Sequence, residues 1–290
     1  MNNVTIANLN IELEIIDTDF FDKRLHEYKN TTFGKSDMTL KTNVCDEIAK
    51  PEGVIIEQIN NVAIVRIENN KFCRYLRSSE TGEIVNAFYY TKDYSKVEIH
   101  LRKNQAHPVF SLTDFEYMYT GLAFSDRLTK LGGVVLHGSS IEYKRQGIIF
   151  SANSGIGKST HTNLWKERFG DEVAIVNDDK PAIRFYKDMP YVFGTPWSGK
   201  TDLNTNIQVP LKAIIFIKRA ETNWIEKLQV RDSVFNLTEQ IWRPYYDTEI
   251  GEKTLDVIEK LISTVPIYRL HCSINQESVT AVLNKLFAGE

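Results

Sequence analysis

Hydrophobic and polar residues alternate in short runs along the first hundred positions of the chain. A period of two is typical of β-strands, because successive side chains of a strand point to opposite faces of a sheet. The pattern therefore predicts a β-rich segment of mostly antiparallel strands, interrupted by one short helix near residues 20–28. The predicted strands are Val4–Ile16, Val54–Ile59, Val62–Ile67, Val85–Tyr90 and Val97–Leu101.

A boundary between two domains is predicted within NQAHPV, residues 104–109. The stretch is polar, and Pro108 prevents a helix from continuing through it. Residues 1–107 then form a β-rich N-terminal domain, and residues 108–290 form a second domain.

A helix is predicted to begin after Ser111, because Asp114 three residues later completes a capping box. The pair Gly132-Gly133 ends it.

The rest of the chain alternates short apolar runs with helical patterns, which predicts a mixed α/β fold. A further helix is predicted to follow residues 151–160 and to end at Phe169, before Gly170. The remaining predicted helices are Val230–Trp242, Thr254–Leu261 and Glu277–Phe287. The predicted strands are Val134–Leu136, Ser140–Tyr143, Ile148–Phe150, Val173–Val176, Ala182–Tyr186, Tyr191–Phe193, Ala213–Ile217 and Pro266–Leu270.

The stretch SANSGIGKST, residues 151–160, lies between a predicted strand and a predicted helix. Its spacing fits a Walker A phosphate-binding loop, with Ala152 in place of the first glycine. Backbone N–H groups and the N-terminus of the following helix would bind phosphate oxygens, Lys158 would reach the terminal phosphates and Ser159 would bind Mg2+. A plain Ser/Gly turn is the alternative, and the order of strand, loop, Lys-Ser and helix favours phosphate binding. The predicted nucleotide-binding residues are Asn153, Ser154, Gly155, Ile156, Gly157, Lys158, Ser159 and Thr160.

Two acidic residues, Asp178 and Asp179, follow the continuous apolar run 173–176. Such a run is expected of a strand buried on both faces, and ligands gather at the carboxyl ends of strands in α/β sheets. One carboxylate could hold Mg2+ while its neighbour accepts a proton from an attacking hydroxyl. The alternative interpretation is an exposed Asp-Asp turn without function. The predicted phosphate loop shortly before it favours the functional interpretation.

A glycine-bearing stretch, GTPWSGK at residues 194–200, follows a predicted hairpin around Lys187-Asp188. Lys200 could supply charge to a phosphate or substrate, and Trp197 could offer a face for stacking. A structural turn around a buried tryptophan explains the same residues equally well.

Composition and charge narrow the class of protein without identifying it. With 42% hydrophobic and 25% charged residues among 290, the chain is typical of a globular protein. A net charge of −3 does not indicate a nucleic-acid binder, and the clusters Lys144-Arg145 and Lys218-Arg219 are interpreted as solvated turns or strand ends. No leader peptide or membrane span is predicted, so we expect a cytoplasmic protein. The three scattered cysteines predict reduced thiols.

The segment HGSSIEYKRQGIIFSANSGIGKST, with VAIVNDD after it, resembles the catalytic domain of HPr kinase/phosphorylase and its relatives in the PEP carboxykinase-like superfamily. The matching features occur in the same order as in that family. They are His137-Gly138, Ser154-Gly155, Gly157-Lys158-Ser159 and Asp178-Asp179. The resemblance implies a P-loop domain preceded by a smaller β-rich domain. It covers about residues 132–200 and, more weakly, the rest of the second half.

The resemblance also implies roles for individual residues. Lys158 and the loop amides would bind the β- and γ-phosphates of ATP or another nucleoside triphosphate, and Ser159 with Asp179 would hold Mg2+. Asp178 would be the base for the acceptor hydroxyl, and His137 would orient or polarise an acid of the pair. The chain lacks the family's later arginine-containing signature and its usual N-terminal domain, which favours an acceptor other than HPr.

The leading hypothesis is therefore an ATP- and Mg2+-dependent kinase that phosphorylates a serine-type hydroxyl of a peptide, a protein or a small metabolite. A regulatory module that binds nucleotide without catalysis is the alternative from another class. A PEP carboxykinase-like enzyme is less favoured, since the chain is short. A homo-oligomer is left open by the sequence.

Overall fold

The structure is a computed structural model that describes residues 2–30, 32, 34–104, 109–243 and 247–288. The chain forms two compact units. The first comprises Met1–Leu131 with Arg243–Gly251, and the second comprises Gly132–Trp242 with Glu252–Glu290. The predicted mixture of helices and strands is confirmed.

The first unit is built on one eight-stranded sheet, with the strand order β1-β2-β3-β8-β7-β6-β5-β4. Strand β3 pairs in parallel with β2 and β8, and the other neighbours are antiparallel, as predicted for most of them. The strands are β1 (Asn2–Ile6), β2 (Leu9–Glu14), β3 (Met38–Cys45), β4 (Val54–Ile59), β5 (Val62–Ile67), β6 (Lys71–Arg77), β7 (Ile84–Thr91) and β8 (Lys96–Arg102). The helices are α1 (Thr18–Leu25) and α2 (Leu112–Lys130).

Four strands of this sheet, β1, β2, β3 and β6, differ from the prediction. The run predicted as one strand, 4–16, is a hairpin, because Ala7 and Asn8 adopt left-handed backbone angles and reverse the chain. Strands β3 and β6 were not predicted. In β6 the apolar alternation is interrupted by Arg74, whose buried guanidinium forms a 3.0 Å ion pair with Asp126 of α2. A charged side chain at an inward position hides the strand from a hydrophobicity pattern.

Helix α2 begins after Ser111 with the predicted capping box, in which Ser111 and Asp114 each bond the other's main chain. The carboxylate of Glu116 accepts hydrogen bonds from the main-chain N–H groups of Ile16 (2.7 Å) and Asp17 (3.0 Å). These contacts and the Asp126 ion pair attach the helix to the first unit. The predicted domain boundary between residues 107 and 108 lies outside the described residues and stays a prediction.

The second unit contains a nine-stranded mixed sheet. Its path is β12-β10-β11-β15-β14-β13-β9, and β17 pairs with both β15 and β16. The strands are β9 (Val134–Val135), β10 (Gly138–Tyr143), β11 (Gln146–Ser151), β12 (Val173–Asn177), β13 (Ala182–Tyr186), β14 (Met189–Phe193), β15 (Gln208–Arg219), β16 (Trp224–Lys227) and β17 (Ile267–Cys272). The helices along this part of the chain are α3 (Lys158–Phe169), α4 (Val230–Gln240), α5 (Thr248–Thr264) and α6 (Gln276–Leu286).

Strand β11 lies inside this sheet and has both faces covered. Ile148 and Phe150 belong to one core cluster, with Trp165 of α3 and Val279 of α6. Ile149 belongs to the other cluster, which includes residues of α4 and α5. Burial of apolar side chains of this size stabilises the fold by about 1.5–3 kcal/mol each. The strand that leads into the predicted phosphate loop is therefore firmly fixed.

The predicted hairpin around Lys187-Asp188 is confirmed, and Lys144-Arg145 forms a turn, one of the two interpretations given above. Lys144 and Arg145 connect β10 to β11, and Lys187 and Asp188 connect β13 to β14, all four with positive φ. Such two-residue turns match the twist of the paired strands. Strand β12 differs from its prediction, because it stands at the end of the strand order and only part of its run is fully buried.

None of the described helices is long and apolar enough to cross a membrane. The three cysteines are free, as predicted, with Cys73 and Cys272 buried and Cys45 half-buried.

Candidate functional site

The predicted phosphate loop forms the turn between β11 and α3. Gly155 and Gly157 have φ angles of 79° and 118°, which residues with a Cβ atom rarely adopt. A Cβ at Gly157 would lie 2.2 Å from Cδ1 of Ile274 and 3.2 Å from Nη2 of Arg219. Gly157 is also the N-cap of α3, whose first turn contains no acidic residue. A helix N-terminus of this kind attracts anions, so the loop has the form expected for phosphate binding.

Lys158 is the first residue of α3, and its side chain extends back over the loop that precedes the helix. Its Nζ donates to the main-chain oxygens of Ala152 (2.9 Å) and Asn153 (3.4 Å), and the residue is 7% exposed. Burial lowers the pKa of Lys158, and Lys180 acts in the same direction, while Asp179 and Asp178 oppose the shift. An ammonium group has three donors, so one remains to contact a ligand.

Asp178 follows β12 and is held by hydroxyl groups on both carboxylate oxygens. Its Oδ1 accepts from Ser139 Oγ at 2.6 Å, and its Oδ2 accepts from Thr201 Oγ1 at 2.9 Å. The residue is only 6% exposed. Each carboxylate oxygen offers two lone pairs, so Asp178 can still accept a further proton donor.

The hydroxyl of Ser139 also connects Asp178 to the helix of the phosphate loop. Ser139 Oγ lies 2.8 Å from Oγ1 of Thr162, one turn after Lys158, and because the Ser139 proton is given to Asp178, the Thr162 hydroxyl is the donor of this second bond. The predicted base and the predicted phosphate loop are thus joined by two buried hydroxyl groups.

Asn177 shapes the turn that carries the two acids. Its Oδ1 accepts from the main-chain N–H groups of Asp179 (2.8 Å) and Lys180 (2.5 Å), and its Nδ2 donates to the main-chain oxygen of Thr195 (2.8 Å). The side chain therefore fixes the acidic turn against residue 195.

His137 lies against Asp179, the second of the two acids. Its Nε2 is 3.3 Å from Asp179 Oδ1, and Lys180 Nζ is 3.0 Å from the other oxygen of the same carboxylate. Burial lowers the pKa of His137 to about 4, with Lys180 and Lys158 adding to the shift and Asp179 opposing it. The imidazole is therefore neutral near pH 7.

A cavity of about 470 Å³ collects most of the predicted residues in the second unit. The predicted residues that line it are His137, Ser154, Gly155, Gly157, Lys158, Ser159, Thr160, Asp178, Asp179 and Lys200. The phosphate loop, the two acids and the 194–200 stretch are thus brought to one place.

Two predicted loop residues line a different space. Asn153 and Ile156 border a second cavity of about 380 Å³, which shares Arg219 with the first.

Trp197 does not fulfil its predicted role. Its side chain is 2% exposed, so the ring has no free face for stacking on a ligand. The loop around it is nevertheless close to the acids, because a Cβ at Gly199 would lie 3.0 Å from Cβ of Asp179. Gly199 has a φ of 71°. The structural-turn alternative therefore holds for Trp197, while Lys200 and its neighbours form a wall of the cavity.

Sequence reasoning missed three residues of this site, which are Ser139, Arg219 and Gln240. The side-chain amide of Gln240 lies 3.1 Å from Nδ1 of His137 and 2.7 Å from Oδ1 of Asn153. Arg219 was interpreted as a solvated strand end, and it does end β15, but it also lines the main cavity beside Gly157. The sequence carried no local signal for this place, because only the parallel pairing of β15 with β11 brings the carboxyl end of β15 beside the loop. Ser139 and Gln240 gave no local signal either.

The donor set fits a phosphate-bound divalent ion better than an isolated metal centre. Ser159 and Asp179 line the same cavity, and within the described ranges no three His, Cys, Asp or Glu side chains cluster as metal ligands. Mg2+ usually takes few protein ligands and completes its shell with phosphate oxygens and water. Ser159 and Asp179 are suited to that arrangement.

The family described as "SynChlorMet cassette protein ScmC" has a sequence model that matches residues 117–286, which is more than half of the chain. No curated protein matches the chain. Among solved structures, the chain is similar to the Hpr(Ser) kinase/phosphatase from Coxiella burnetii, at 10% identity and a TM-score of 0.31. The match covers 52% of this chain and 95% of that one.

Proposed function

The chain belongs to the family described as SynChlorMet cassette protein ScmC, and we propose that it is an ATP- and Mg2+-dependent kinase. It transfers the γ-phosphate to a serine-type hydroxyl of a peptide, a protein or a small metabolite.

One observation carries this proposal, which is that a single cavity joins a phosphate loop to a buried carboxylate. Lys158, Arg219 and the N-terminus of α3 provide positive charge at one wall. Asp178 stands in the same cavity, with its carboxylate fixed by Ser139 and Thr201. Phosphoryl transfer depends mainly on positioning and on neutralising charge, and both are available here.

In the proposed reaction the acceptor oxygen attacks the γ-phosphorus in line with the bridging oxygen. The new P–O bond forms as the bond to the bridging oxygen breaks, and the nucleoside diphosphate leaves. Asp178 takes the proton that the hydroxyl loses. Lys158 and Arg219 stabilise the negative charge on the transferring phosphoryl oxygens and on the leaving group.

The metal site is part of the same proposal. Ser159 Oγ and the carboxylate of Asp179 would hold Mg2+, which supplies charge neutralisation at the β- and γ-phosphates when bound. The ion pair between Lys180 and Asp179 orients that carboxylate by its other oxygen.

Selection of the acceptor is assigned to residues outside the phosphate loop. Lys200 and Thr201 border the cavity near Asp178, so they are placed to contact an acceptor. The N-terminal domain, residues 1–107, is proposed to recognise the rest of a larger acceptor.

The direct test is transfer from γ-labelled ATP to a panel of serine-containing peptides, proteins and free hydroxy compounds. We expect labelled product from the wild type, with turnover reduced about 100-fold or more in Lys158→Ala and Asp178→Asn. Lys144→Ala, in the exposed turn between β10 and β11, is the matched control and should leave turnover unchanged. Full activity of Asp178→Asn would remove the assigned base.

ATP binding without transfer to any acceptor would favour the non-catalytic regulatory module instead. Calorimetric binding measurements on the same variants separate a loss of ATP binding from a loss of transfer, because Lys158→Ala should bind ATP more weakly whereas Asp178→Asn should keep its affinity.

A further inference from the structure

The second cavity beside the phosphate loop has no part in the reaction proposed above. Neither Asp178 nor Asp179 lines it, so it is not the place of phosphoryl transfer. It lies in the second unit, among residues of α4, β15, β17 and the loop. Its volume of about 380 Å³ is within the range of about 300–1,000 Å³ that is usual for small-molecule sites.

Arg219 connects this second cavity to the main one. It lines both cavities, and its Nη2 lies 3.2 Å from the position of a Cβ on Gly157, the N-cap of α3. Asn153 and Ile156 of the phosphate loop also border the second cavity. The loop therefore contributes residues to two neighbouring cavities that share an arginine.

The two ends of a bound nucleotide have different requirements. The γ-phosphate has to lie beside Asp178, in the main cavity, for the acceptor hydroxyl to reach it. The nucleoside is attached to the other end of the triphosphate, so it extends from the loop away from the two acids. A triphosphate that passes Arg219 brings its nucleoside to the second cavity.

The lining of the second cavity carries charges of both signs. Lys218, Arg219 and Arg269 are cationic, and Glu239 of α4 is anionic. Glu239 is exposed, and its carboxylate has no hydrogen bond or ion pair among the residues that the structure describes. A second anion would be repelled by Glu239, and a cation would be repelled by the three basic groups. A neutral group rich in hydroxyls and ring nitrogens fits this lining better.

The side chains of Glu239 and Arg269 match the two parts of a nucleoside. The 2′- and 3′-hydroxyls of ribose are adjacent donors, and the two oxygens of a carboxylate can accept one bond from each. Arg269 provides a planar guanidinium, whose Nη1 lies 4.0 Å from Oε1 of Glu226. Planar guanidinium groups stack on aromatic rings, including nucleobases.

We propose that the second cavity binds the nucleoside of the nucleotide, with Glu239 accepting hydrogen bonds from the ribose hydroxyls and Arg269 stacking on the base. This inference rests on the proposed kinase function, because it requires that the phosphate loop holds a triphosphate. It adds that the ligand is a ribonucleotide, recognised by its sugar as well as by its phosphates. Inorganic tripolyphosphate has no nucleoside, so its binding reports on the loop alone.

Binding isotherms for ATP and for tripolyphosphate, both with Mg2+, test the site. Glu239→Gln should bind ATP about tenfold more weakly, and its binding of tripolyphosphate should not weaken. A general effect of charge has the opposite sign, because removing a carboxylate strengthens the binding of an anion. Glu259→Gln makes the same change at an exposed position of α5 outside the cavity, and it should bind both ligands as the wild type does.

The ribose contact is tested with 2′,3′-dideoxy-ATP, which lacks both hydroxyls. The wild type should bind this analogue about tenfold more weakly than ATP. Glu239→Gln should bind the two nucleotides equally, because the partner of the hydroxyls is gone and the effects of the two changes are not additive.

The contact with the base is tested by Arg269→Lys. This variant keeps the positive charge but removes the planar group. It should weaken ATP and its dideoxy analogue by the same factor and leave tripolyphosphate binding unchanged. An unchanged ATP affinity would remove the stacking role of Arg269.

The measurements on the wild type distinguish this inference from the kinase proposal. Equal affinities for ATP and 2′,3′-dideoxy-ATP, or a full preference for ATP in Glu239→Gln, would overturn the ribose site. Tripolyphosphate binding that is lost in Lys158→Ala would still support the phosphate loop in that case. If neither ATP nor tripolyphosphate binds, the kinase function and the nucleoside site are both wrong.

Discussion

Ser139 donates a 2.6 Å hydrogen bond to Asp178, and the hydroxyl group that makes it also lies 2.8 Å from the hydroxyl of Thr162. One side chain of β10 thus holds the proposed base and contacts the helix of the phosphate loop. All three residues are buried, which keeps the carboxylate from turning to solvent.

Removal of the Ser139 hydroxyl should lower turnover without weakening nucleotide binding. In Ser139→Ala the Asp178 carboxylate loses one of its two hydroxyl donors, and we expect kcat to fall about tenfold. Steady-state kinetics and an independent nucleotide titration measure the two effects. Ser140→Ala is the neighbouring control, since that hydroxyl donates to the main-chain oxygen of Asn177 instead. Equal losses in both variants would contradict the assignment.

Arg219 should contribute to phosphate affinity, whereas Lys218 beside it should not. Charge-assisted hydrogen bonds are worth about 1.5–3 kcal/mol, so Arg219→Gln should weaken ATP binding about tenfold or more. Lys218→Gln makes the same change of charge at the preceding exposed residue of β15. Binding isotherms at two salt concentrations provide the comparison. If both variants bind equally well, Arg219 does not contact phosphate.

Gly157→Ala should abolish nucleotide binding and reduce stability. The new methyl group would meet Cδ1 of Ile274 at 2.2 Å, and a φ of 118° is unfavourable for alanine. Gly155→Ala has a similar backbone strain but open space around the added carbon. Thermal unfolding should therefore show a larger loss at 157 than at 155. Ile274→Ala in the Gly157→Ala background should restore part of the stability.

His161 should make the protein less stable in acid. Its ring is 0% exposed and packs 4.4 Å from the Phe150 ring, and neither nitrogen has a hydrogen-bond partner in the described part of the chain. Burial lowers the pKa of His161 to about 3, below the value of an unfolded histidine near 6.5. The unfolded state then binds more protons between these values, so stability is full above pH 6.5 and falls as the pH falls towards 3.

This histidine should cost about 2 kcal/mol at pH 5 relative to pH 7. Urea unfolding of wild type and His161→Leu at the two pH values measures the difference, and the variant should lose less stability on acidification. His26→Leu, at an exposed position, should follow the wild-type curve. A wild-type slope in His161→Leu would contradict the buried neutral histidine.

Local signals explain why the strand–loop–helix unit formed by β11, residues 152–157 and α3 could be predicted. The glycine spacing, the apolar run of β11 and the end of α3 at Gly170 are all encoded within neighbouring residues. The two-residue hairpin turns are local in the same way.

The missed residues depend on pairing between distant parts of the chain. Arg219 reaches the loop because β15 lies parallel to β11, and Gln240 reaches His137 because α4 ends beside the loop. For Trp197 the prediction was wrong in the opposite way. The residue type suggested a ring exposed for stacking, but the ring is buried in the core. Strand β6 was hidden by Arg74, whose partner Asp126 lies 52 residues away.

The position of Ile274 beside Gly157 affects the order in which parts of the chain can reach their final packing during synthesis. Ile274 follows β17, more than one hundred residues after the loop it supports. During synthesis the loop leaves the ribosome long before this partner does. Its final packing therefore waits for the segment around residue 274, and the nucleotide binding that we propose for the loop would be acquired late by the growing polypeptide.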